Sequence, residues 1–260
     1  MEKDIVDHCL EYAKSKKIDY AEAKAQDTNI ENMVLKNGTL DAYSTALDSG
    51  FYVRILADGG LGFASSNKWT KEEAEKIVNV AHKLAINAQR KDKIKFAQEK
   101  AVKTNWEVKQ KKKIENISSE DKIGTLSEID KTIVSQKINV AARMLILNIF
   151  ITDKYFVNSE GSAISSYVPK INAQAIGITV VDQGKMEQLT FKEWGYSGGW
   201  EAFDMWKLDE SLAKEVKVLH SVLKEGKPVK PGKTDLICGP EVTGIASHES
   251  CGHPMEADRI

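Results

Sequence analysis

The residue pattern predicts an α+β protein: two sheet-containing units with flanking helices, then the start of a further C-terminal domain. Three observations carry that expectation. Runs with strand character recur along the chain, closed by turn signals such as Asn37-Gly38. Segments with apolar residues at helical spacing flank those runs. Two stretches, one dense in lysine and one marked by Pro228 and Pro231, interrupt the pattern. The 260 residues are enough for one large domain or two modest ones with a real core.

The first segment, "MEKDIVDHCLEYAKSKKID", carries charges at every third or fourth position and reads as an amphipathic helix, not as a signal peptide. "YAEAKAQDT" then alternates like a strand. In "NMVLKNGTLDAYST", Asn37-Gly38 suits a type I′ hairpin turn, because both residues tolerate positive φ. "SGFYVRILADGGLGFAS" repeats the pattern, with Asp58-Gly59-Gly60 as its turn. Thr70 and Glu73 form a capping box, and Ala74, Ile77, Val78, Ala81, Leu84 and Ala85 recur at helical spacing behind it. Residues 1–90 therefore form a first α+β unit.

Residues 91–115 read as a basic linker. The stretch 90–113 holds ten Lys or Arg against three acids, with no nucleic-acid-binding motif to go with them, so a solvated connector is expected. The second unit, 116–226, opens with a helix in "SSEDKIGTLSEIDKTIVSQ" and continues with strand-like runs from "NVAARMLILNIFITD" to "MEQLTFKEWGY". Turns are expected at 158–161 and 182–185, and a helix over Leu208–Glu225 with Leu212, Val216, Leu219 and Leu223 in step. Residues 227–260 begin a third domain, with a strand expected at Thr234–Cys238.

The bulk numbers exclude several classes. A net charge of −1 gives no pull toward nucleic acid or anionic lipid. The longest apolar stretch, Met144 to Thr152, is far short of the ~20 residues that span a bilayer. Three cysteines, Cys9, Cys238 and Cys251, make no disulfide framework and point to a reducing cytoplasm; Cys238 is expected to be a small buried residue.

The chemistry concentrates in "GIASHESCGHPMEADRI". His248, Glu249 and His253 form an H-E-x-x-x-H arrangement, one residue longer than the H-E-x-x-H of familiar zinc peptidases, with Glu256 and Asp258 following. A zinc peptidase needs neutral imidazoles on one side of the metal and a carboxylate beside the water that attacks. On a regular helix, residues i and i+5 point about 140° apart, whereas i and i+4 are about 40° apart. The spacing therefore demands a wider, π-type turn, which Gly252 would ease and Pro254 would help to end.

"AEAKAQD", "SGFYVRILADGGLGFASS", "YFVNSEGS" and "CGPEVTGIASHESCGHPMEADRI" resemble, in order, the TldD/PmbA family of metallopeptidases, once described as modulators of DNA gyrase. The resemblance implies a zinc-dependent peptidase acting on peptides or unfolded segments, working as a homodimer or as a heterodimer with a metal-free paralogue. It implies His248 and His253 as zinc ligands and Glu249 as the catalytic acid/base. The family's third protein ligand is a cysteine well downstream, in a region beyond Ile260, so the chain is expected to be the N-terminal part of a longer protein. Cys251 is the local substitute, disfavoured because facing one metal with both histidines would distort the turn severely.

Two other readings compete. Gly195-Tyr196-Ser197-Gly198-Gly199 fits the G-x-S-x-G elbow of serine hydrolases, with His220 the nearest later histidine. "WEAFDMW" is a poor helix start for such an elbow, so a glycine-rich loop is expected there instead. The chain could also be a non-catalytic peptide-binding or assembly subunit, against which the intact His-Glu-His set speaks.

Overall fold

The computed structural model describes residues 2–256. They fall into two compact units, divided between Glu225 and Gly226.

The first unit is built on one seven-stranded sheet: β1 Tyr20–Lys36, β2 Thr39–Ala57, β3 Gly60–Ser66, β4 Lys103–Glu107, β5 Val140–Asn158, β6 Ala163–Asp182 and β7 Lys185–Ser197. The order is β3-β2-β1-β5-β6-β4, with β7 also on β6. Every pairing is antiparallel except β4 with β6. The α+β class expected from the sequence is the one observed, but the two sheet-containing units share a single sheet. The joint is β1 against β5, paired from Glu22↔Asn158 to Lys36↔Met144. The expected linker at 91–115 is corrected accordingly. It supplies β4, pairing Lys103–Glu107 with Ala163–Tyr167, and it buries Ile114, so it runs along the sheet and does not separate two domains.

The turns behave as their residues dictate. Asn37 and Gly38 have φ of 51° and 81°, and Asp58 and Gly59 have 50° and 77°, the positive values that a tight right-twisted hairpin needs. "YFVNS" and the run before it are one strand, β5. "AISSYVPK" and "AQAIGITVVD" are likewise one strand, β6, which runs through the buried Pro169.

Four helices cover this sheet in two pairs. α1 (Lys3–Lys14) and α2 (Lys71–Asn87) bury Val6, Cys9, Ile77 and Val78 against Ala21, Ala23, Ala25, Val53 and Ile55. α3 (Ser119–Val134) and a later helix at Leu208–Glu225 bury Leu126, Ile133, Leu212 and Val216 against Met33, Leu147, Ile149 and Ile171. On β1, Ala21, Ala23, Ala25 and Met33 are separated by even numbers of residues, so both cores lie on one face of the sheet. This explains why the sequence reads as two units: there are two hydrophobic clusters on one platform. Only half of the expected capping box of α2 is formed: the Glu73 amide donates to Thr70 Oγ1 at 3.2 Å, but the Thr70 amide donates to the Lys68 carbonyl and the Glu73 carboxylate accepts from Ser66. Leu84, expected in the α2 core, is instead 47% exposed.

On the opposite face, side-chain amides run across the strands. Asn32 donates to Asn148 (2.6 Å), Asn148 to Asn172 (3.2 Å) and Asn172 to Glu193 (2.6 Å). Arg143 makes a two-pronged ion pair with Asp130 (2.6 and 2.8 Å) that ties α3 to β5. Short α4 (Ala202–Trp206) and α5 (Leu208–Glu225) complete the unit.

The second unit opens without regular structure and then forms α6, Pro240–Ser247. The strand expected at Thr234–Cys238 is absent. A strand needs a neighbour for its backbone groups, and none pairs with it among the described residues; Leu236 and Ile237 are 81% and 96% exposed. Cys238, expected to be buried, is exposed. No helix among the described residues is long and apolar enough to cross a membrane.

Candidate metal centre

α6 begins in the way its sequence favours: Gly239 is the N-cap and Pro240 takes the first turn, where its missing N–H is no loss. The helix runs regularly to Ser247. Over His248–Gly252 it widens into a π turn, closed by the His253 amide donating to the His248 carbonyl, a bond from residue i+5 to residue i. A 3-10 turn, His253–Met255, follows with Pro254 in its first positions. The ladder cannot continue through Pro254, which has no N–H, so the wide turn is limited to one.

That single turn decides the geometry. It brings the two imidazoles to the same side, with ring centroids 4.6 Å apart and planes at 79°. One ligand atom each from His248, Glu249 and His253 lies within 4.8 Å of the others, the only such group of three or more His, Cys, Asp or Glu residues among the described residues. Glu249 Oε2 is 3.9 Å from His253 Nε2, and His253 Nδ1 is 2.7 Å from Glu256 Oε1. His248 and Glu249 are exposed and His253 is partly so, open to a substrate or to further ligands.

The donor set fits zinc. Two imidazole nitrogens and a carboxylate suit a borderline divalent ion that takes N and O ligands in small tetrahedral sites. The three donors sit on one turn, so an ion can be gathered by side-chain rotation with little backbone movement.

Glycine at 252 is not what permits the turn. Its φ and ψ of −63° and −62° are open to any residue, and a Cβ there would meet only His248 Nδ1 at 3.9 Å. Cys251 is exposed and stands outside the close group of donors. Asp258 lies outside the described residues. Glu256 was visible in the sequence only as one more acid; its spacing of three from His253 becomes a contact only through the 3-10 turn that follows the π turn.

Ser197 has no catalytic partner of the expected kind. It ends β7 opposite Lys170, whereas His220 contacts Asp182 (3.5 Å), which pairs with Lys185 at the other end of the same hairpin. Those ends are separated by the 13-residue length of β7, roughly 40 Å at the usual strand rise. Gly198 and Gly199 are buried against Tyr196 and the Lys112 carbonyl, so the segment is a packed corner and not an elbow.

Comparison with known proteins agrees with this picture. Residues 21–85 match the model for "PmbA/TldA metallopeptidase domain 1". The chain is 27% identical over 244 residues to Metalloprotease MJ0996 of Methanocaldococcus jannaschii, covering 93% of this chain and 52% of that protein. It is 24% identical over 253 residues to the zinc metalloprotease TldD homolog of Saccharolobus solfataricus, covering 94% and 53%. The chain thus spans about half the length of the curated relatives it matches. Among solved structures, TldE from Thermococcus kodakarensis shares the fold with a TM-score of 0.63 at 14% identity, over 82% of this chain and 47% of that one. A candidate modulator of DNA gyrase from Thermotoga maritima does so with a TM-score of 0.63 at 16% identity, over 83% and 47%. Sequence similarity along nearly the whole chain, the domain match at 21–85 and the shared fold agree, and what the chain is similar to along its length is the TldD/PmbA family.

Proposed function

We propose that this chain contributes to zinc-dependent hydrolysis of peptides or unfolded protein segments, with His248 and His253 holding the metal and Glu249 moving the proton. The observation that carries the reading is the π turn, which turns an unfavourable i, i+5 spacing into a paired set of imidazoles with a carboxylate beside them. The names of the metalloprotease relatives support the same class.

When bound, zinc supplies Lewis acidity toward the scissile carbonyl and toward water. His248 and His253 would hold it through their ring nitrogens. Glu249 follows His248 directly and points a carboxylate oxygen into the same group of donors. There it accepts a proton from the attacking water at Oε and returns it to the leaving amine, the role general-base carboxylates play in this chemistry. Two imidazoles alone would leave a catalytic zinc one protein ligand short, and the family resemblance implies a cysteine outside these residues for that place. The working form is a homodimer or a heterodimer with a metal-free paralogue, in the cytoplasm.

Glu249→Gln tests the assignment in any preparation that cleaves peptide and holds zinc. Turnover should vanish while metal content stays near the wild-type level. Unimpaired turnover in that variant would remove Glu249 from the mechanism.

A further inference from the structure

We propose that Glu256 is a positioning residue of this centre: it holds His253 in the tautomer with the proton on Nδ1 and so keeps Nε2 for the metal. The inference deepens the zinc reading above and rests on it.

His253 Nδ1 lies 2.7 Å from Glu256 Oε1. An ionised carboxylate only accepts, so the ring nitrogen is the donor in this bond. In a neutral imidazole the other nitrogen then carries the lone pair. That nitrogen, Nε2, is the one turned toward Glu249, 3.9 Å from its Oε2. The opposite tautomer would set the Nδ1 lone pair against a carboxylate oxygen at 2.7 Å, two acceptors with no proton between them. The shorter contact therefore sets the tautomer.

The backbone explains why Glu256 is there. In a 3-10 turn, residues three apart lie directly above one another. The turn His253–Met255 is closed by the Glu256 amide donating to the His253 carbonyl at 3.3 Å, which stacks residue 256 over His253. Pro254 fixes the intervening φ. The π turn thus brings His253 beside His248, and the 3-10 turn that follows places a carboxylate behind it. Metal-binding histidines commonly donate their second N–H to a carboxylate, which fixes the ring and raises its basicity.

The test compares the wild-type chain with Glu256→Ala and Glu256→Gln, by 15N imidazole spectra of the metal-free proteins and by zinc affinity in competition with a chromophoric chelator. Residue 256 is exposed, so the variants should keep the wild-type far-UV spectrum. In the wild type, neutral His253 should carry its proton on Nδ1. In Glu256→Ala this preference should be lost, and zinc affinity should fall about 10- to 100-fold. In Glu256→Gln the amide oxygen still accepts, so the tautomer should persist while affinity falls between the other two. A wild-type His253 tautomer in the alanine variant, or zinc affinity within twofold of wild type, would overturn the proposal. Should the wild type bind no zinc, the zinc reading fails, and the metal-free spectra still decide the tautomer. A proton moved to Nε2 in the alanine variant would support Glu256 as the positioning group, and unchanged spectra would refute it.

Discussion

Gly62→Ala should unseat a helix. A Cβ built on Gly62 would stand 1.9 Å from the Ala81 carbonyl oxygen and 2.6 Å from the Ala85 nitrogen, both backbone atoms of α2. Real Cβ contacts essentially never fall below 3.0 Å, so α2 must retreat from β3 by about 1 Å along that line. No side chain can yield in its place. The retreat loosens Ala74, Ile77, Val78, Ala81 and Ala85, the buried stripe of the helix. Overpacking of this kind costs 1–3 kcal/mol, and with backbone on both sides the upper end applies, about 3 kcal/mol. For a folded unit of roughly 200 residues, 1 kcal/mol moves the midpoint by about 2–4 °C, so Tm should fall by about 6–12 °C. Gly124→Ala is the internal control. Gly124 lies within α3 with nothing within 4 Å of a built Cβ, and alanine there should gain about 1 kcal/mol and raise Tm by about 2–4 °C. Thermal unfolding followed by circular dichroism measures both. A Gly62→Ala midpoint within 2 °C of wild type would refute the close-approach argument.

Two further outcomes follow from buried groups. Burial alone would raise the Glu201 carboxyl, but amide N–H groups of Lys112, Glu201 itself, Lys111 and Gly199 pull it down to about 2. The folded value lies below the unfolded ~4.3, so its stabilisation, on the order of 2 kcal/mol, is present at neutral pH and lost as pH falls from about 4.3 through 2. Glu201→Gln should therefore be less stable at pH 7 and show a flatter loss of stability across that window in urea titrations; a parallel acid profile would contradict the assignment. For the thiols, burial pushes Cys9 up to about 12, whereas Cys238 and Cys251 are exposed. An aromatic disulfide reagent should label two thiols per native chain quickly and the third only on unfolding. If Cys251 is no ligand, zinc should not protect it.

Much of the fold was legible because it is written locally. Asn37-Gly38 and Asp58-Gly59 needed positive φ and have it, and Thr70 caps α2 through its own hydroxyl. The single sheet was not legible, because β1 and β5 are joined by pairings such as Glu22↔Asn158, more than a hundred residues apart, which no local signal records. Gly60 was read as part of a turn, yet it begins β3. Its place is set by α2, since a Cβ there would lie 2.0 Å from the Ala85 carbonyl oxygen. At the candidate centre the i, i+5 spacing of His248 and His253 carried real information: two imidazoles cannot meet on a regular helix, and the π turn is the local solution. Gly252 was credited with easing that turn, but its ordinary φ shows that the turn does not depend on it. The Glu256–His253 bond escaped the sequence because it depends on the 3-10 turn that follows the π turn, and two successive changes of helix type are not written in any periodicity.

Zinc content and affinity of the 260-residue chain, beside a His248→Ala, His253→Ala double variant, test the central claim most directly. The account predicts one zinc per wild-type chain at saturating zinc, held weakly because only two imidazoles supply it, and lost in the double variant. Zinc retained equally by both proteins, or bound by neither, would contradict the assignment of His248 and His253 as the metal-holding pair.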